Sequence, residues 1–208
     1  MARRPLTTPR KLASQERSRM TVDALVEATA RLLVKEGFDG VSTNKIADAA
    51  GVSIGSLYQY YPGKEALVAA VVDRHQDKVS RTVRQALPDI MSLPLEAAVR
   101  AIVSLAVEAH RVDPKLHRIL TEQIPRTGRL KNVEAQSRGN FALIRAYLEA
   151  HRDEIRAVDL EFAAFLVVTT VEALTHAAVL HRPETLAGAG AGHFLDEVSR
   201  LLVGYLRG

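Results

Sequence analysis

The sequence predicts an all-α protein of about nine helices, and two observations lead to that prediction. Apolar residues recur at three- and four-residue spacing along most of the chain, which is the period of one helix face. Glycine and proline interrupt this pattern at intervals, and no stretch alternates apolar and polar residues as a strand would. With 208 residues, 47% of them hydrophobic, the chain is long enough to bury a core.

The first predicted helix runs from about Glu16 to Glu36, and Gly37 is expected to end it with a positive φ. Two short helices should follow. Ser42 or Thr43 caps the first of them, which covers residues 43–50, and Ser53 caps the second, which ends before Pro62. The apolar stripe of the first helix consists of Val22, Leu25, Val26, Thr29, Leu32 and Leu33.

The remaining helices are long, and prolines mark several of their boundaries. The eighth is apolar almost all round, so it should be buried on more than one side. The glycine-rich stretch "PETLAGAGAG" after it should be a flexible connection, since a phosphate-binding loop would need a preceding strand. The predicted ranges are 64 to about 86 ahead of Pro88, 95–112 after Pro94, 114 to about 124, 131–149, 159–182 and 193–207.

Composition narrows the possible classes of protein. The chain has no cysteine, which excludes disulfides, thiolate metal sites and cysteine nucleophiles and agrees with a reducing compartment. We expect a soluble, cytoplasmic protein with no cofactor, because no membrane span or signal peptide stands out. The net charge is +4, but residues 1–20 alone hold six Lys or Arg and one acid. Positive charge is therefore concentrated at one end.

The stretch "IADAAGVSIGSLYQYYPGKEAL" has the pattern of a helix-turn-helix. Gly51 permits the tight turn, and Ala47 is small where the second helix crosses the first. The second helix then keeps one face free, with short side chains first and hydrogen-bonding ones after, which suits entry into a DNA major groove. Tyr58 should point outward, whereas Tyr60 and Tyr61 should pack inside.

These motifs resemble the N-terminal signature of the TetR family of bacterial transcriptional regulators over about residues 17–72. The shared features are Gly-Phe after the first helix, Ser-Thr opening the second, Gly-Val-Ser, Gly-Ser-Leu-Tyr and Lys-Glu-Ala-Leu. The resemblance implies a sequence-specific DNA-binding regulator and no catalytic residues. Ile54 departs from the polar residue common there, so it contacts a thymine methyl or no base. The implied DNA-binding residues are Ser42, Thr43, Ser53, Ile54, Gly55, Ser56, Tyr58, Gln59 and Lys64.

The predicted domains are a flexible basic arm at 1–16, the helix-turn-helix domain at 17–63 and an effector-binding and dimerisation domain at 64–208. The arm is either a solvated tail or a segment that wraps the duplex through Arg3, Arg4, Arg10 and Lys11. As the resemblance implies, two DNA-reading heads should meet successive major grooves of a palindromic operator, which requires a homodimer.

The larger domain should dimerise through its last two helices and enclose a small-molecule effector. Either set of residues below could instead serve only the core of one chain. The predicted dimer residues are Ala164, Val168, Val171, Phe194, Val198, Leu201, Leu202 and Tyr205. The predicted effector-binding residues are Leu105, His110, His117, Leu120, Phe141, Arg145, Phe165, Thr169 and His176.

We expect a repressor that its effector releases from DNA, and two alternatives stay open. One is a DNA-binding regulator without an effector, or an activator. The other is a helical-bundle enzyme, whose di-iron form would need repeated Glu-x-x-His pairs. The nearest feature is Glu172 with His176, at the wrong spacing and unrepeated, so we expect no metal site.

Overall fold

The computed structural model describes residues 16–123, 130–156 and 159–208, and these residues form nine α-helices and two short 3-10 helices. The predicted all-α class is confirmed. The basic arm, the loop at 124–129 and residues 157–158 lie outside the described residues. The α-helices are α1 Glu16–Gly40, α2 Thr43–Ala50, α3 Ile54–Tyr60, α4 Lys64–Met91, α5 Leu95–Arg111, α6 Pro114–Glu122, α7 Leu130–Ala150, α8 Leu160–His181 and α9 Gly190–Arg207.

The helices α1 and α4 both continue beyond their predicted ends. In α1, Gly37 has the expected positive φ, at 71°, but its ψ of 175° is extended, and a short helical stretch continues to Gly40. α4 runs through Pro88 to Met91. Pro88 is exposed in the last turn, where a proline removes only one helical hydrogen bond, while the following Ile90 is buried. Burial of Ile90 explains why the helix does not stop before the proline.

The connection before α9 is more ordered than predicted. Pro183–Leu186 form a 3-10 helix, with proline in its first turn, and Leu186 is buried. Gly190 and Gly192 belong to α9 itself. Steric space favours glycine at position 190, because a Cβ there would lie 2.8 Å from the Thr185 carbonyl oxygen.

The chain divides into two compact units. Among the described residues, the first unit contains α1, α2, α3, the first half of α4 and most of α6. The contacts therefore do not divide at residue 64 as predicted. The reason is that α4 and α6 supply residues to the same core as the helix-turn-helix. That core includes Leu25, Leu33, Ile46, Leu57, Tyr60, Tyr61, Leu67, Val71, Leu116 and Leu120.

The second unit contains the rest of α4 together with α5, most of α7, α8 and α9. Its core is formed mainly by α5, α8 and α9 and includes Leu95, Val99, Val103, Ala164, Val167, Val171, Val198, Leu202 and Leu206. The Tyr147 hydroxyl on α7 donates to the Leu93 carbonyl at 2.7 Å. Thus α7 is joined to the chain just before α5.

α8 is long and apolar enough, by length and composition alone, to cross a membrane. In this structure it is a core helix: eight of its residues are buried, including Ala163, Val167 and Thr175. The prediction that α8 is covered on more than one side is only partly correct, because Phe162 and Phe165 are 56% and 50% exposed.

Candidate DNA-binding surface

The turn between α2 and α3 has the geometry that a helix-turn-helix needs. Gly51 is left-handed, with φ 68° and ψ 30°. Its N–H donates to the Asp48 carbonyl at 3.1 Å, and the next N–H, of Val52, donates to the Ala47 carbonyl at 3.0 Å. Because a residue with a Cβ is strained at this φ, glycine fixes the angle between the two helices at little cost.

Serine side chains cap both helices as predicted. The Ser42 Oγ accepts from the Lys45 N–H at 3.3 Å, and the Ser53 Oγ accepts from the Ser56 N–H at 3.1 Å. The Ser53 and Ser56 hydroxyls also lie 2.9 Å apart. A capping hydroxyl uses an oxygen lone pair and keeps its hydrogen, so it can still donate to an acceptor outside the protein.

α3 has one buried and one exposed face. Leu57 and Tyr60 are buried, together with Tyr61 just after the helix, as predicted. Desolvation by burial raises the pKa of Tyr61, so this phenol remains neutral inside the core. The opposite face presents the predicted reading residues: Ser53, Ile54, Gly55, Tyr58 and Gln59 are all exposed, and Ser56 is half-buried.

A contact between two side chains links the exposed face of α3 to the start of α2. The Thr43 Oγ1 and the Tyr58 Oη lie 3.1 Å apart, and either can be the donor. Whichever donates, the other hydroxyl keeps its hydrogen for an outside acceptor. The two predicted phosphate-binding groups therefore form one hydroxyl pair on the surface.

Lys64, which is predicted to contact a phosphate, has partners within the chain in the absence of DNA. Its ammonium donates to the Phe38 carbonyl at 3.0 Å and lies 4.2 Å from the centre of the Phe38 ring. This hydrogen bond and the cation–π contact hold Lys64 against the end of α1. To reach a phosphate, the ammonium must leave the Phe38 carbonyl or share its protons with it.

Lys45 is a further cation on this side of the unit, but an acid accompanies it. Its ammonium donates to the Glu36 Oε2 at 2.6 Å and to the Gly40 carbonyl at 2.8 Å. The hydrogen bond from Lys45 is the main cause that lowers the pKa of Glu36. Since both charges are present at neutral pH, the pair adds little net positive charge for a phosphate.

Sequence reasoning missed the residues that hold the corner between α1 and α2. The N–H of Phe38 donates to the Gln123 Oε1 at 3.1 Å, across 85 positions of sequence. Gln123 directly follows α6, and no local motif marks it. Phe38 belongs to the Gly-Phe motif, but that motif does not indicate which residues bind its backbone.

The predicted effector-binding residues of the second unit do not share one environment. Leu105 and Phe141 are half-buried against its core, and His110 and His176 meet edge-on with ring centres 6.0 Å apart. The His110 Nδ1 lies 2.8 Å from the Ala106 carbonyl. In contrast, Arg145, Phe165 and Thr169 are exposed, which differs from the interior lining predicted for them.

The other two predicted effector residues belong to the first unit. Leu120 is buried in the core of that unit beside Leu116, so it packs the helix-turn-helix domain. His117 pairs with the buried His75, with Nδ1 and Nε2 3.1 Å apart. This pair joins α6 to α4 within the first unit.

The predicted dimer residues require a correction. Ala164, Val171, Val198 and Leu202 are already buried in the core of the second unit, because the inward stripes of α8 and α9 meet α5 there. Only Leu201 of the predicted set is exposed, at 58%, while Val168, Phe194 and Tyr205 are half-buried. The exposed apolar surface of α8 is instead formed by Phe162 and Phe165, whose rings lie 6.1 Å apart.

Two family models match the chain. The model described as "Bacterial regulatory proteins, tetR family" matches residues 25–71, and the one described as "Tetracyclin repressor-like, C-terminal domain" matches residues 94–206. The first match covers the helix-turn-helix and the start of α4. The second covers more than half of the chain. Both descriptions are of regulators and not of enzymes.

Similar proteins agree with these matches. The nucleoid occlusion factor SlmA of Haemophilus ducreyi is 31% identical over 117 residues, which is 56% of this chain and 55% of SlmA. The chain thus spans about half the length of the curated relatives it matches. The fatty acid degradation regulator FadR of Bacillus halodurans has a TM-score of 0.66 at 21% identity, covering 95% of this chain and 99% of FadR. FadR of Bacillus subtilis in complex with stearoyl-CoA has a TM-score of 0.65 at 15% identity, covering 88% and 98%.

Proposed function

Because the chain belongs to the TetR family of bacterial regulatory proteins, we propose that it is a homodimeric repressor that a small-molecule effector releases from a palindromic operator. The observation that carries this proposal is the exposed face of α3, joined to α2 by the Thr43–Tyr58 contact. The proposal has three parts, namely DNA recognition, dimerisation and effector release, and each can fail separately.

DNA recognition divides between backbone and base contacts. The capping hydroxyls of Ser42 and Ser53 and the Thr43–Tyr58 pair are suited to phosphate oxygens, because each can donate a hydrogen. Ile54, Gly55 and Gln59 lie on the same exposed face and are left for base edges. Gln59 can pair with adenine, and the 39% exposed Ile54 can contact a thymine methyl.

Dimerisation would use the apolar side chains that stay exposed on α8 and α9, and not the predicted residues that are buried in the core. Phe162 and Phe165 on α8 and Leu201 on α9 are large apolar side chains that remain half or more exposed in one chain. If a symmetric partner covers these side chains, burial of their apolar surface stabilises the dimer by roughly 25 cal/mol per Å² buried. We propose this exposed stripe as the centre of the dimer interface, in place of the core-facing stripe.

An effector releases DNA only if it binds better to the conformation in which DNA binding is weak. The second unit holds the half-buried histidines His110 and His176, which meet edge-on, and the half-buried apolar residues Leu105 and Phe141. These residue types suit a ligand with both apolar and polar parts. The acyl thioester bound by Bacillus subtilis FadR combines these features. Acyl-CoA thioesters of varied chain length are therefore the first effector class to screen.

The test is fluorescence anisotropy with the purified protein, a palindromic duplex from its own upstream region and a scrambled duplex, over a salt series. The proposal expects tight, salt-sensitive binding to the palindrome, much weaker binding to the scrambled duplex, and loss of affinity in Tyr58→Ala. If neither that palindrome nor duplexes selected from the whole genome bind better than the scrambled duplex, the DNA-binding proposal is wrong.

Effector release is tested on the same complex. Saturable binding of an acyl-CoA that raises the operator Kd supports a ligand-released repressor, with free CoA as the control for the acyl group. A compound that binds and leaves the operator Kd unchanged contradicts release by that compound. Tighter DNA binding in its presence would identify a co-repressor or an activator-type response.

A further inference from the structure

The backbone of Phe38 is bound at both its N–H and its carbonyl by side chains from elsewhere in the first unit. Its N–H donates to the Gln123 Oε1 at 3.1 Å, and its carbonyl accepts from the Lys64 ammonium at 3.0 Å. Helical hydrogen bonding is interrupted at this point, because Gly37 breaks α1 with an extended ψ. Side chains therefore replace the missing backbone partners.

The position of this corner decides where the DNA-binding groups lie. Three residues separate Phe38 from Ser42, the cap of α2, and Thr43 begins that helix. The hydrogen bonds of Gly51 and Val52 across the turn then fix α3 relative to α2. A shift of the corner therefore moves the reading helix together with α2.

α6 packs into the core of the first unit just before the chain reaches Gln123. Its Leu116 and Leu120 are buried in the core of the first unit, and the N–H of Gln123 continues the helix by donating to the Ile119 carbonyl at 3.0 Å. Gly37 leaves room for the amide, because a Cβ at Gly37 would lie 2.9 Å from the Gln123 Oε1. The contact thus requires both the glutamine and the absence of a side chain opposite it.

We propose that Gln123 is a positioning residue of the DNA-binding surface. As the residue directly after α6, it contacts the corner between α1 and α2, and this contact fixes the orientation of α2 and α3 relative to α1. Gln123 itself contacts no DNA in this proposal. The inference rests on the proposed DNA-binding function, and the wild-type protein tests that function in the same experiment.

The test compares three substitutions in the full chain. Gln123→Met keeps the length of the side chain and removes the acceptor, and Gln123→Glu keeps an acceptor oxygen at the same place. Gln85→Met makes the same chemical change at an exposed position of α4 that is remote in sequence from the corner. Operator and scrambled-duplex Kd, salt dependence and thermal unfolding are measured for each, and the Phe38 amide resonance reports the contact directly.

We expect Gln123→Met to weaken operator binding by a factor of about two to ten, because the loss of one uncharged hydrogen bond within the protein can shift the orientation of the corner by no more than that factor. Its affinity for scrambled DNA and its salt dependence should match the wild type. Gln123→Glu should restore most of the affinity, and Gln85→Met should change nothing. If the wild-type protein binds the operator no more tightly than the scrambled duplex, the proposed DNA-binding function is wrong, and the role of Gln123 is not what failed.

Two results would overturn the positioning role. One is unchanged operator affinity in Gln123→Met although the Phe38 amide resonance has shifted. The other is an equal loss on operator and scrambled DNA together with a lower melting temperature, which indicates only a structural contribution. Gln123→Ala, which removes the acceptor by truncation, must give the same answer as Gln123→Met.

Discussion

The Tyr58 hydroxyl lies 3.1 Å from the Thr43 hydroxyl, so the exposed face of α3 and the first residue of α2 share a hydrogen bond before any DNA is bound. This contact orients Tyr58, which would otherwise be a freely rotating surface phenol. Preorganisation of this kind lowers the entropy lost when a side chain binds its partner.

The first prediction is a double-mutant cycle on this pair. Tyr58→Phe and Thr43→Val each remove one hydroxyl, and each should weaken operator binding by about fivefold. The double variant should lose less than the product of the two effects, because the pair acts as one unit. Anisotropy titrations measure the four Kd values, with Thr43→Ser as the variant that keeps the hydroxyl. Multiplicative losses would show that the two groups act independently.

The second prediction concerns Gly37 and protein stability. Gly37→Ala should lower the free energy of unfolding by about 1–3 kcal/mol, because the backbone at φ 71° and ψ 175° is one that essentially only glycine adopts, and because an alanine Cβ would crowd Gln123. Gly139→Ala is the matched control in α7, where a Cβ meets nothing within 4 Å. It should stabilise the protein by about 0.5–1 kcal/mol. Urea unfolding measures the free energy of unfolding of both variants. The prediction is wrong if the two substitutions change that free energy in the same direction.

The third prediction separates the exposed apolar stripe from the core. Phe162→Ser with Leu201→Glu should shift the protein from dimer to monomer and leave each chain folded, because both residues are more than half exposed. Val171→Ala, inside the core, should instead lower the free energy of unfolding by about 1–3 kcal/mol. Light scattering after size exclusion gives the mass, and circular dichroism gives the stability. If the Phe162→Ser, Leu201→Glu variant remains dimeric, the dimer interface does not depend on these two side chains.

The fourth prediction is a pH dependence that arises from Glu36. Its pKa lies below the ordinary value of 4.5, mainly because of the hydrogen bond from Lys45. A carboxyl whose pKa is lower in the folded state stabilises the fold above its unfolded pKa, and that stabilisation is lost as pH falls through the folded value. Glu36→Gln should therefore destabilise the protein at neutral pH, and the difference from the wild type should disappear as pH falls from the ordinary pKa of 4.5 through the lower pKa of the folded state. Urea unfolding at a series of pH values measures this difference. A difference in the free energy of unfolding between wild type and Glu36→Gln that stays the same from neutral to acidic pH would contradict the role given to Glu36.

Much of the first unit could be predicted from sequence because its signals are local. Gly51, the serine caps and the inward Tyr60 and Tyr61 all depend on neighbours within a few residues, and the structure agrees with each of them. The intramolecular partner of Lys64 could not be predicted in this way, because Phe38 lies 26 positions away in the sequence. The phosphate contact of Lys64 stays a prediction.

The failures have a common physical cause, which is that helix periodicity marks an apolar face without naming what covers it. The stripe containing Val171 and Leu202 was assigned to a partner chain, but α5 supplies enough apolar surface to bury it within one chain. Likewise, Pro88 was expected to end α4, and the burial of Ile90 keeps the helix going. Such outcomes depend on long-range packing.

The two capping serines also limit how this protein can acquire a new target sequence. Ser42 and Ser53 each cap a helix through the same side-chain oxygen that is proposed to contact DNA, so replacing either serine to gain a new contact would also weaken the start of α2 or α3. Ile54, Gly55 and Gln59 neither cap a helix nor belong to the core. Divergence of the operator among descendants of this gene, or its redesign in the laboratory, should therefore run through those three positions.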